Sequence, residues 1–183
     1  MRNRSWIALA IASVLAAPLS AQTTMVGGEA MYPAKDIVSN AVNSKDHTTL
    51  VAAVKAAGLV ETLQGKGPFT VFAPINGAFA VLPAGTVESL LKPENKAALT
   101  GVLTYHVVAG NVSAEQLIKM IKKGKGMATL TTVNGQTLTA MMNGPRNVAL
   151  KDASGGIANI SVYDVKQSNG VIHVIDHVLL PKM

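Results

Sequence analysis

The chain contains no cysteine. That absence removes disulfides, thiol chemistry and cysteine-ligated zinc from the possible functions. Aromatic residues are nearly as scarce: three Phe, three Tyr and one Trp make up 4% of 183 residues. So few rings do not tile a stacking platform for bases or sugars. The core must therefore be built from Val, Leu, Ile, Ala and Met. Acidic residues are few, ten against sixteen Lys and Arg, and they are scattered singly. No two of them stand out as the acid and base of a glycosidase. A Gly-x-Ser-x-Gly elbow, a His-Glu-x-x-His helix, a Walker loop and a dinucleotide fingerprint are all missing. No catalytic residue, cofactor site or metal site is expected.

What is present suits one domain. Hydrophobic residues make up 49% of the chain, enough to build a core without covalent staples. The N-terminus, MRNRSWIALAIASVLAAPLSAQTT, has a basic start at Arg2 and Arg4, a short apolar run from Trp6 to Leu15, and small residues thereafter. This is the layout of a secretory leader, expected over 1–21 with cleavage after Ala21. The apolar run falls short of the roughly 20 residues that span a bilayer, and no later segment is apolar enough to cross one. The mature chain is expected outside the cytoplasm, secreted or periplasmic. Its formal charge falls from +6 to about +4 once the two arginines leave, which is too mild for a nucleic-acid signature.

Residues 22–34 are small, polar and Met-rich, and read as a flexible arm before a domain over 35–183. Asp36 and Asp46 are placed to cap two helices, with Gly58 ending the second. FTVFAP, Phe69–Pro74, is a short apolar stretch bounded by Gly-Pro and Pro, the mark of a buried strand. Asn76 and Thr86 are placed to cap short helices, and Pro93 to open another. Tyr105–Val108 looks strand-like. Ser113-Ala114-Glu115-Gln116 is a capping box. Beyond Gly126 the texture turns to β, with Asn134-Gly135 as a hairpin turn and further strands near Val148–Lys151 and Ile157–Val165. Helices first, one early strand, then a run of strands is an α+β pattern, mainly antiparallel.

The closing stretch, NGVIHVIDHVLLP, holds His173, Asp176 and His177. As a strand it would separate the two histidines by about 13 Å, too far to share one metal, and it would turn Asp176 away from His173. His173 is expected to be structural, and His177 more exposed. Lys122, Lys123 and Lys125 form a dense basic cluster with Lys119, either a contact for an anionic surface or a solvated helix end.

Three of these stretches, in order, resemble the boxes of the fasciclin-type domain, the FAS1 superfamily: Phe69–Phe79, the element LTYHVV around Tyr105-His106, and Gly170–Pro181. The resemblance runs from about Tyr32 to Pro181 and is nearest to small, secreted, single-domain bacterial members. It implies a β-wedge or sandwich with helices alongside, the two outer boxes lying together as neighbouring core strands. It also implies cell adhesion and matrix contact; with the missing catalytic motifs and the lysine cluster, the expectation is a module without catalysis that binds a cell-surface or matrix protein or an anionic polysaccharide. In animal relatives a Tyr-His element is associated with integrin binding, which makes Tyr105 and His106 candidate interaction residues with Lys122, Lys123 and Lys125. The chain departs from the family pattern at Ile75 and Gly77. An alternative reading is a ligand-binding protein or hydrolase whose site joins Tyr105, His106 and His173.

Overall fold

The computed structural model describes residues 23–182, and the leader expected over 1–21 lies outside them. The described chain opens with a hairpin of β1 (Thr24–Val26) and β2 (Glu29–Met31). Three helices follow: α1 (Ile37–Ala41), α2 (Thr48–Ala57) and α3 (Val60–Gln64). Strand β3 (Phe69–Pro74) then leads through α4 (Asn76–Ala80) and α5 (Thr86–Leu90) to α6 (Lys96–Tyr105). After β4 (Val107–Ala109) and α7 (Ala114–Lys123), five strands complete the chain: β5 (Met127–Thr131), β6 (Thr137–Met142), β7 (Val148–Lys151), β8 (Ile157–Gln167) and β9 (Gly170–Ile175).

Seven strands form one sheet in the order β4-β3-β9-β8-β7-β6-β5. Every pairing is antiparallel except β3 with β9, the two outer family-like boxes, which run parallel with Phe72 opposite His173. The sheet curls until its ends meet: Val133 N–H donates to the Val107 carbonyl at 2.8 Å, and Val108 bridges Thr132. This contact covers edges that would otherwise offer unpaired backbone.

The curl explains why β3 and β9 are apolar throughout. Alternate residues of a strand face opposite sides, and here both sides are cores. Val71, Ala73, Ile172 and Val174 face α1, α2 and α3, together with Leu50, Val54 and Leu63. Phe72 and Ile175 face the inside of the curl, with Leu117, Ile121, Leu138 and Leu150. Burying each large aliphatic or aromatic side chain contributes about 1.5–3 kcal/mol.

Several local expectations change. The arm expected over 22–34 includes the β1–β2 hairpin, which packs on the core through Val26 and Met31. Asn40 on α1 secures it, accepting from Tyr32 N–H at 3.0 Å and donating to the Tyr32 carbonyl at 2.8 Å. Asp36 caps α1 as expected, accepting from Ser39 N–H at 2.9 Å. Asp46 does not cap α2, because it lies inside a 3-10 turn over Lys45–His47 and His47 takes the N-cap position. That role passes to Asn76, whose Oδ1 accepts from Thr49 N–H at 3.0 Å while Nδ2 donates to the Lys45 carbonyl at 2.8 Å. Asn76 itself is the first residue of α4 and does not cap it. Thr86 lies inside α5, which is preceded by Gly85 in the left-handed region. Pro93 begins a 3-10 turn, and α6 starts three residues later. Tyr105 ends α6 and His106 is its C-cap, so the strand begins only at Val107.

Candidate interaction surface

Helix α6 carries Tyr105 and His106 to the point where the two cores meet. Tyr105 is fully buried. Its hydroxyl donates to the Thr137 carbonyl at 2.8 Å and accepts from Ala153 N–H at 3.0 Å. Burial raises its pKa above the usual phenol value. His106 is 2% exposed. Its Nδ1 donates to the Val102 carbonyl at 2.8 Å, and its Nε2 accepts from Leu179 N–H at 3.0 Å. These partners fix one neutral tautomer. Burial, partly offset by the Val102 carbonyl and the charge of Asp152, pushes its pKa down to about 4. Both candidate contact residues thus face inward, and their polar atoms tie α6 to β6, to the loop after β7 and to the C-terminal tail.

His173 behaves alike. It is fully buried, stacked on Phe72 with ring centroids 5.7 Å apart. Its Nε2 donates to the Val112 carbonyl at 2.9 Å and its Nδ1 accepts from Asp164 N–H at 3.3 Å. Burial lowers its pKa. The structural role expected for His173 is what the geometry shows. Strand β9 ends at Ile175, so the strand spacing does not extend to His177. His177 is exposed, and its Nδ1 lies 2.9 Å from Asp176 Oδ1. The His–Asp contact of this segment is thus the neighbouring surface pair. Burial acts to raise the Asp176 pKa, but hydrogen bonds from Asn159 and His177 outweigh it and hold the carboxyl below its ordinary value.

Tyr105, His106 and His173 do not share a cleft. His106 borders an apolar crevice that neither of the other two lines. Among the described residues no cluster of three His, Asp or Glu is placed to hold a metal ion. No helix among them is long and apolar enough to cross a membrane.

The lysines have the opposite setting. The Ser113 capping box closes as expected, with Ser113 N–H donating to Gln116 Oε1 at 2.8 Å and Gln116 N–H to Ser113 Oγ at 3.3 Å. Asp164, in a bulge of β8 at φ 54°, accepts from Ala114 N–H at 2.9 Å. Leu117 and Ile121, both fully buried, anchor one face of α7. The charged face is left outside, where Lys119 pairs with Glu115 at 2.6 Å. Lys122, Lys123 and Lys125 are exposed at the C-terminal end, and no carboxylate of the described residues lies within 4 Å of their ammonium groups.

Two organising residues escape a reading of motifs. Asp152 accepts from Ser154 and Gly156 N–H at 2.9 and 2.7 Å, and from Leu180 N–H at 2.9 Å, which ties the β7–β8 loop to the tail. The Asp-x-Ser-Gly-Gly sequence is a turn signal that locates it. Asn169 accepts from Ile37 N–H at 3.0 Å and donates to the Leu63 and Gly65 carbonyls at 2.8 and 2.9 Å. Its Asn-Gly step reads as a turn, with nothing in the sequence to indicate those distant partners.

Comparison with known proteins agrees with this arrangement. The family model described as Fasciclin domain matches residues 45–181. Protein sll1483 of a Synechocystis strain is 47% identical over 164 residues, covering 88% of this chain and 82% of that protein. Immunogenic protein MPB70 of Mycobacterium bovis is 34% identical, covering 77% and 66%. Transforming growth factor-beta-induced protein ig-h3 of Sus scrofa is also 34% identical, covering 72% of this chain but 17% of that protein. The fold matches a FAS1 domain pair from the insect cell adhesion molecule fasciclin I, with a TM-score of 0.70 and 18% identity over 80% of this chain and 51% of that one. With its two outer boxes paired as parallel core strands and a family match over most of its length, the chain belongs to the Fasciclin domain family.

Proposed function

We propose that this chain is an exported, non-catalytic interaction module that binds a cell-surface or matrix protein or an anionic polysaccharide. Contact is made by the lysine-bearing end of α7. The observation that carries this reading is the division of polar chemistry in the fold. Tyr105, His106 and His173 spend their hydrogen bonds inside, while Lys122 and Lys123 stand exposed in the last turn of α7 and Lys125 just beyond it, on a helix whose other face is buried through Leu117 and Ile121. Three ammonium groups on one edge suit a polyanion, and such contacts weaken as salt rises. Membership of the Fasciclin domain family, with an adhesion molecule among the fold neighbours, supports the same reading. The basic, apolar and small-residue order of residues 1–21 supports export, and N-terminal sequencing of the exported protein should then begin at Gln22.

The test is retention on a heparin-like resin. The parent should elute late, and a triple Lys122→Gln, Lys123→Gln, Lys125→Gln variant should elute at lower salt. Equal retention of the two would remove the cluster as the contact. Failure to hold any surface, matrix or glycan component, together with turnover of a purified substrate, would remove the module reading itself.

A further inference from the structure

Four Asn-Gly steps occur in the chain, at Asn76, Asn134, Asn143 and Asn169. In such a step the glycine nitrogen can attack the side-chain amide carbon of the asparagine, because no Cβ on the glycine obstructs the approach. The attack needs an amide that can rotate and a glycine N–H without a partner. The fold opposes this at three of the four. Asn169 is 8% exposed, and its amide is held by Ile37, Leu63 and Gly65. Asn76 is the first residue of α4, and its amide spans the Thr49 N–H and the Lys45 carbonyl. Asn134 Oδ1 accepts from Thr132 Oγ1 at 2.6 Å and from Gln136 N–H at 3.0 Å, while Gly135 N–H donates to the Thr132 carbonyl at 2.9 Å.

Asn143 is placed differently. It follows β6 directly, in the exposed loop 143–147. Its N–H donates to the Asn147 carbonyl at 2.7 Å, but among the described residues Gly144 N–H has no partner. Its side chain makes one hydrogen bond, from Nδ2 to Asn159 Oδ1 at 2.7 Å. Gly144 sits at φ 101°, which glycine adopts without steric cost, and no atom lies within 4 Å of where a Cβ on it would be. We propose that Asn143-Gly144 is a self-modification site, at which the folded chain converts Asn143 to aspartate and isoaspartate. Gly144 N bonds to Asn143 Cγ, the Cγ–Nδ2 bond breaks, and ammonia leaves with the proton from Gly144 N. Water then opens the cyclic imide. Opening at Cγ gives aspartate, and opening at the main-chain carbonyl gives isoaspartate. Water is the sole co-reactant. The new carboxylate cannot donate to Asn159, so the loop loses that tie and its surface gains a negative charge.

The test incubates the folded, exported protein in alkaline buffer and maps the products by peptide mass spectrometry and isoaspartyl methyltransferase labelling. Asn143 should convert at least about tenfold faster than the other three, which react only when their part of the fold opens. In guanidinium chloride that lead should vanish, because the four steps then lose their different surroundings. Isoelectric focusing of the incubated native protein should show a new acidic species, slower to form in mildly acidic buffer and absent from Asn143→Gln. An Asn143 that stays intact, or conversion of Asn76, Asn134 or Asn169 at the same rate in the folded protein, would overturn the proposal. So would a lead of Asn143 that persists undiminished in guanidinium chloride, or the same acidic species formed by Asn143→Gln.

Discussion

Tyr105 illustrates how far a single residue can be read. Its partners Thr137 and Ala153 are 32 and 48 residues away, so the sequence shows a Tyr-His pair but not what it holds. Both hydroxyl bonds are inside the fold, and removing the oxygen strands a carbonyl and an N–H together. Tyr105→Phe should therefore cost about 2 kcal/mol, seen as a lower urea midpoint with an unchanged slope. An unaltered midpoint would mean that the two backbone groups find water or other partners. Apart from that loss, binding to an anionic resin should match the parent, because the ring lies away from solvent and the lysines are untouched. His173 was more legible, since a histidine inside an apolar β-branched run is most simply accommodated as a buried, hydrogen-bonded side chain.

Elements were legible where their determinants are local. The Ser113 box joins residues three apart, and Asn134-Gly135 marks the β5–β6 turn within itself. The cap of α2 is supplied by Asn76, 27 residues from Thr49, and no local pattern reports that. Asn76→Ala removes this cap and the Lys45 bond with it, so a loss of about 1 kcal/mol is expected. The readout is the chemical denaturation midpoint, and equal stability would show that the 3-10 turn before α2 suffices. The β1–β2 hairpin was missed because three-residue strands show too little alternation, although Gly27-Gly28 is a two-residue turn signal. The pairing of β3 with β9 makes a sterner demand. A Cβ on Gly170 would lie 2.0 Å from the Phe69 carbonyl oxygen, and backbone on an inner strand pair cannot move aside cheaply. Gly170→Ala should cost about 3 kcal/mol or more. A near-native urea midpoint would show that the two strands separate more readily than their contact implies.

At the scale of the whole molecule, the α+β class was legible in the order of helices and strands, and the neighbouring outer boxes followed from the family resemblance. The curl that brings β4 to β5 was not legible, since it rests on contacts such as Val107 with Val133 that no sequence pattern encodes. The same enclosure makes stability depend on pH. His47, His106 and His173 are all buried, and burial lowers each pKa from the ordinary 6.5, to about 4 for His106. Protonation would also turn an acceptor into a donor aimed at an N–H: Leu179 for His106 Nε2, Asp164 for His173 Nδ1. The unfolded chain therefore takes up these protons first as pH falls. Stability is fully present above pH 6.5 and declines from there towards pH 4. His106 alone accounts for about 3 kcal/mol of that decline, a large share for a domain stabilised by about 5–15 kcal/mol. His47 and His173 act in the same direction. The depressed carboxyls of Asp36 and Asp176 add a further loss only nearer pH 3.8 and below. Urea denaturation at steps from pH 8 to pH 4 should give a plateau followed by a steady fall beginning close to neutrality. A flat curve down to pH 4.5 would mean that the buried histidines reach solvent, or charge without cost, in the folded chain.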